Sequence, residues 1–149
     1  MPAPLLRLRG GGALLGVLIV SFGFLGAGCG GDKADPPADP AFEPKLSLIE
    51  MKIFGPSCGL SATCHGGDTP QKELLLTPPV ASRILDRMSK EVPERKLIVP
   101  GDPDASYLYE KIASARPAFG TRMPDQNPPL APGFVAAVRE WIRAGAKND

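Results

Sequence analysis

The sequence predicts an all-α domain of about four helices joined by long Pro-rich loops, on three observations. Four segments carry apolar residues at helical spacing. Each is bounded on at least one side by Pro or Gly. No stretch alternates apolar and polar residues over a strand's length, and Leu97-Ile98-Val99 is short and halted by Pro100.

The elements follow in chain order. Leu46, Ile49 and Ile53 fall at i, i+3 and i+7, giving a short helix that ends before Gly55-Pro56. Thr77-Pro78 reads as an N-cap and first-turn proline, and Ala81, Ile84, Leu85 and Met88 then share one face. Asp102-Pro103 is a second start of that kind, followed by Ala105, Leu108, Ile112 and Ala115. Pro132 opens the last helix, where Phe134, Val138, Trp141 and Ile142 line one side and Gly145 suits the stop. Arg143 and Lys147 suit the negative end of its dipole, while Ala131 is a poor cap.

Composition narrows the function classes. The chain has 149 residues and a net charge of +1, with 17 Lys+Arg against 16 Asp+Glu. One ordinary domain fits that length. A nucleic-acid partner is not expected, because its electrostatic footprint is clustered excess Lys and Arg. The single His excludes any site built on two imidazoles. Six Phe, two Tyr and one Trp promise a thin core. Domains of this size are marginal, and many carry a disulfide, a metal or a large apolar cofactor.

The first residues read as an address. Arg7 and Arg9 precede a charge-free run whose apolar part, Ala13–Leu25, is too short to span a membrane and right for a secretory signal. It closes on Leu25-Gly26-Ala27-Gly28-Cys29, which resembles the lipobox of bacterial lipoproteins, although Leu stands four rather than three before the Cys. The resemblance implies a signal peptide over 1–28 and lipidation of Cys29. The plainer alternative is a non-lipidated signal cleaved near Ala27 or Gly28. Residues 29–45, rich in Pro and Asp, read as a disordered tether, and 46–149 as the folded domain. The protein is then exported and lipid-anchored, on the periplasmic or cell-surface face.

Cys58-Gly59-Leu60-Ser61-Ala62-Thr63-Cys64-His65 holds the other two Cys and the only His. Cys-His adjacency in an exported chain points to c-type haem attachment, in which sulfurs add to the vinyl groups and the next His faces the iron. The usual motif has two residues between the Cys; here five intervene. Three readings stand open: Cys64 alone is linked, both Cys are linked through a looped-out segment, or Cys58 and Cys64 form a disulfide and no haem is held. Met123, in the loop Gly120-Thr121-Arg122-Met123-Pro124 and outside any periodic stripe, offers the soft sixth ligand common to such irons. Met51 and Met88 read as packing.

The order of these pieces, with Val99-Pro100-Gly101-Asp102-Pro103 and Trp141-Ile142-x-Ala144-Gly145-Ala146, resembles the mono-haem class I cytochrome c domain, especially the planctomycete-type domains of bacterial lipoproteins. The likeness covers residues 46–146. It implies a cytochrome c-like fold, haem c as cofactor, His65 as proximal and Met123 as distal iron ligand, and Cys64 as the second attachment site. Cys58 has no positional match. It also implies the first helix packing on the last, with Ile49 and Ile53 near Phe134, Val138 and Ile142. The function implied is electron transfer with a redox partner protein, not enzymatic turnover.

Other readings remain beside it. A haem-free interaction module stapled by a Cys58–Cys64 disulfide is the principal alternative. A zinc site has only Asp68 as a nearby fourth ligand, and adjacent Cys and His seldom form a nucleophilic dyad. Phe54, Leu60, Leu74, Leu75, Leu76, Tyr107 and Trp141 are candidate pocket residues. Lys90–Lys96 mixes signs and reads as a solvated loop, and Arg122 as a propionate partner or a solvated side chain.

Overall fold

The computed structural model describes residues 38–149. The expected signal peptide, Cys29 and most of the tether lie outside the described residues. The described residues are 35 % helical and contain no strand, in keeping with the all-α expectation. Two isolated bridge pairs, Leu85 with Ile98 and Met88 with Lys96, are their only β-type contacts. No helix among them is long and apolar enough to cross a membrane.

The first helix is longer than its apolar spacing predicts. Helix α1, Leu46–Ile49, runs without a break into a π-helix, Glu50–Cys58, that carries Pro56 inside it. In an α-helix the proline ring clashes with the carbonyl four residues back, and the N–H is missing. Wider turns relieve that clash. The Gly59 N–H closes the last one on the Phe54 carbonyl, five residues back, at 2.7 Å. The expected stop at Gly55-Pro56 is thus a change of pitch. The start of α1 has no side-chain cap of its own. Asp149 supplies it from the far end of the domain: Leu46 N–H donates to its Oδ1 at 3.0 Å and Ser47 N–H to its backbone O at 2.9 Å.

The middle helices are shorter than predicted. Helix α2 is only Ala81–Ile84, because Leu85 is extended and Asp86 has φ +52°. Met88 therefore leaves the apolar face it was expected to share and is 43 % exposed; Met51, also expected to pack, is 61 % exposed. Helix α3 is Tyr107–Ala113. The expected start at Asp102-Pro103 is instead a separate turn: the Asp102 carboxylate accepts the Ala105 N–H at 3.0 Å. The buried Ser106 hydroxyl then ties that turn together, accepting from Val99 N–H and donating to the Asp102 carbonyl, both at 2.8 Å.

Helix α4, Pro132–Arg143, matches its predicted bounds. Gly145, at φ +102°, ends it where only a residue tolerant of the left-handed region fits. Gly145 N–H donates to the Ile142 carbonyl and Ala146 N–H to the Trp141 carbonyl, each at 2.9 Å, the paired bonds of a Schellman stop. Gly101 N–H also reaches the Ile142 carbonyl at 2.8 Å, so the Pro-Gly-Asp-Pro turn docks on the end of α4.

Helices α1 and α4 pack together, and α3 packs on α4. Ile49, Ile53, Val138, Trp141 and Ile142 are all but sealed from water in one core. Each such side chain contributes roughly 1.5–3 kcal/mol by burial. Phe134 packs against this core while half-buried. The folded region also begins earlier than residue 46. Phe42 meets Phe134 edge-on with centroids 5.7 Å apart, and Ala41 N–H donates to the Gly133 carbonyl at 2.9 Å. The end of the expected tether is thus docked on α4, because it carries the one aromatic of that Pro/Asp-rich stretch.

Candidate functional site

The π-helix delivers Phe54 and Cys58, four residues apart, to the wall of a cavity of about 720 Å³. That volume lies within the roughly 300–1,000 Å³ of small-molecule and cofactor sites. Leu74, Leu76, Leu97, Ile112 and Leu130 complete an apolar lining. Cys64, His65 and Met123 line the same space. The four residues singled out from the sequence, scattered over 66 positions, therefore converge on one cavity.

The segment between the two cysteines closes on itself. His65 N–H donates to the Cys58 carbonyl at 3.0 Å, and Cys64 and Gly66 N–H both reach the Ser61 carbonyl. Gly59 and Gly66 form the neck of this loop. A Cβ on Gly66 would sit 2.3 Å from the Gly59 carbonyl oxygen, so no other residue fits without moving backbone. Leu60–Thr63 are exposed at the tip. The three extra residues are thus accommodated outward, and Cys58 is brought beside the Cys64-His65 pair. Both cysteines are free thiols. Burial, with the nearby Cys64 adding to it, pushes the Cys58 thiol up to about 12. A thiol so reluctant to ionise is a poor nucleophile at neutral pH.

His65 is held by the strand-like segment that follows. Its Nδ1 lies 3.1 Å from the Leu74 carbonyl oxygen, and Leu76 N–H donates to its own carbonyl at 2.7 Å. A carbonyl only accepts, so Nδ1 carries the proton and Nε2 keeps its lone pair. Burial lowers the imidazole's pKa, against the opposing pull of the Leu74 carbonyl. A neutral ring with one nitrogen fixed by a carbonyl is the form that ligates a metal.

Two candidate pocket residues are elsewhere. Trp141 is core, its indole N–H donating to the Lys147 carbonyl at 2.8 Å. Leu75 faces a separate shallow depression beside Asp68 and Arg87. Arg122 does not line the cavity, whereas Met88 does. No group of three or more His, Cys, Asp or Glu side chains placed to hold a metal ion occurs among the described residues.

Of the polar wall of the cavity, Glu91, Tyr107 and Lys111, only Tyr107 is among the pocket residues expected from the sequence. Glu91, from the stretch read as a solvated loop, accepts the Tyr107 hydroxyl at 2.6 Å and the Lys111 ammonium at 3.1 Å. Burial pushes the Glu91 carboxyl up, but those two bonds outweigh it and hold it below the usual range. Burial, then the Glu91 bond, raises the Tyr107 phenol. The one sequence signal was on α3, where Lys111 stands among Tyr107, Leu108 and Ile112 on the buried face. A lysine there requires a partner.

Comparison with family models, curated proteins and solved structures gives no match. The functional argument therefore rests on the geometry of this cavity.

Proposed function

We propose that this protein is an exported electron-transfer protein carrying one covalently held haem c, anchored to a bacterial membrane through a lipid on Cys29. One observation carries the reading: His65 and Met123 line a single apolar cavity that also receives both free cysteines. The donor set fits the group. An imidazole with Nε2 left available and a thioether are the common pair for a low-spin haem iron. Cys64 and Cys58 are the attachment sites, the neck at Gly59 and Gly66 bringing them together despite their spacing.

Haem, when bound, supplies a reversible one-electron change. The chain's own residues do the rest. Leu74 orients His65 through its carbonyl. Phe54, Leu76, Leu97 and Leu130 keep water from the site. Glu91, Tyr107 and Lys111 set a fixed polar wall on one side. No residue is assigned to turnover of a substrate, and the partner is another redox protein.

The test is to express the exported protein with a c-type haem maturation system, extract non-covalent haem with acid-acetone, and record the reduced pyridine-haemochrome spectrum. A retained band is expected, at the position of two thioethers. No band, with Cys58 and Cys64 found oxidised to each other by mass spectrometry, would replace this reading with the haem-free interaction module. In the haem-bearing protein, Met123→Ala should keep the haem and lose the Met-ligated spectrum. Met88→Ala should leave that spectrum unchanged.

A further inference from the structure

Lys111 is 7 % exposed, yet its ammonium is paired and hydrogen-bonded. Nζ donates to Glu91 Oε2 and to the Phe119 carbonyl, each at 3.1 Å, and lies 5.9 Å from the centre of the Tyr107 ring. The backbone of the same residue works on the same loop: the Lys111 carbonyl accepts the Met123 N–H at 2.7 Å. One residue of α3 therefore grips the Met123 loop at two points, Phe119 and Met123. Gly120 lies between them, and a Cβ there would come within 3.2 Å of Nζ and 3.6 Å of Glu91 Oε1. The loop is draped directly on the ion pair.

A buried ammonium is costly unless paired and hydrogen-bonded. A surface lysine or an apolar residue on α3 would meet the packing need more simply. What Lys111 adds is a directed bond to a loop carbonyl that has no helix or sheet to hold it. Glu91 fixes where the ammonium sits, and Tyr107 fixes the carboxylate.

We propose that Lys111 is the positioning residue for Met123, its Glu91-anchored ammonium holding the loop at Phe119 so that the thioether stays at the cavity. The inference rests on the reading of Met123 as an iron ligand, and its test separates the two. The Lys111→Leu variant keeps the backbone bond to Met123, removes the ammonium and adds no sulfur to the cavity that both residues line.

In the haem-bearing full chain, Lys111→Leu should retain covalent haem by pyridine haemochrome and lose most of the Met-ligated ferric absorption. In the haem-free chain, amide exchange over residues 119–123 should be about tenfold faster than in the parent, as for a lost charge-assisted hydrogen bond. A second variant separates positioning from stability. Glu91→Leu with Lys111→Leu removes both buried charges and should recover thermal stability relative to the single variant. The Phe119 carbonyl still lacks its donor, so the Met-ligated absorption should stay lost.

Recovery of the absorption along with stability would overturn the proposal, as would an unchanged spectrum in Lys111→Leu. A parent chain without haem would sink the functional reading instead. The exchange rates then decide the clamp alone, and unchanged rates would overturn it.

Discussion

The side of the molecule where α1 meets α4 and the side that forms the cavity are built differently. The first is apolar packing between helices, with Ile49, Ile53, Val138 and Ile142 in mutual contact and helix ends closed by backbone bonds. The second sets loops against helices through a few directed bonds: Leu74 and Cys58 on His65, Lys111 on Phe119 and Met123. Packing energy is spread over many contacts and tolerates small shifts. A loop held by a few bonds has its position decided by them. Substitutions on the two sides should therefore separate stability from site geometry.

The largest effect is expected at Trp141, which is 1 % exposed and also donates to the Lys147 carbonyl. Trp141→Ala should cost about 3–5 kcal/mol in urea unfolding. A loss below that range would show that α4 is not the centre of the core. Next comes Gly66→Ala on the cavity side. Overpacking at the 2.3 Å contact should cost about 1–3 kcal/mol and displace the Cys58–His65 neck. Haem incorporation should fall with it, read as haemochrome per mole of protein. Wild-type incorporation would mean that the neck does not align the cysteines.

Asp149→Ala should cost about 1 kcal/mol, the ordinary worth of a helix N-cap, with the cavity untouched. The smallest effect is that of pH. Glu91 and Glu110 are both held below the usual carboxylate range in the folded protein. Burial opposes this in both; bonds from Tyr107 and Lys111 outweigh it at Glu91, and bonds from Ala118 and Arg95 at Glu110. Depressed carboxylates stabilise the fold above their unfolded pKa of 4.5, and that contribution is lost as pH falls through the folded values. In the haem-free chain the carboxylate contribution to the thermal midpoint should be flat from pH 7 to 5 and drop below 4.5, beneath a separate decline as pH falls through 6.5, where unfolded His65 takes up a proton that burial disfavours in the fold. Glu91→Gln should shrink the drop, and an equal drop in the variant would assign it elsewhere.

Legibility followed the same division. Helix α4 was readable to its bounds because Pro132, a strong apolar stripe and Gly145 agree. That Cys58, Cys64, His65 and Met123 belong together was legible from Cys-His adjacency and an unperiodic Met, and all four line one cavity. The length of the first helix was not, since Pro56 reads as a stop and the wider pitch that admits it has no local signal. Met88 was misplaced because periodicity persisted in the sequence after the chain had turned at Asp86. Glu91 and Lys111 are 20 residues apart, and a pairing between a loop and a helix leaves no spacing to read.

The closed loop between Cys58 and Cys64 bears on how attachment motifs are counted. Its ends meet at Gly59 and Gly66, and its tip is in water. The entropy of closing a flexible segment grows only with the logarithm of its length, about 0.6 kcal/mol per doubling. Going from two intervening residues to five is a little more than one doubling. Such an insertion is thermodynamically cheap wherever two glycines let the strands of the neck touch. Residues distant along the chain, Cys58 and His65 here, then meet backbone to backbone across the neck.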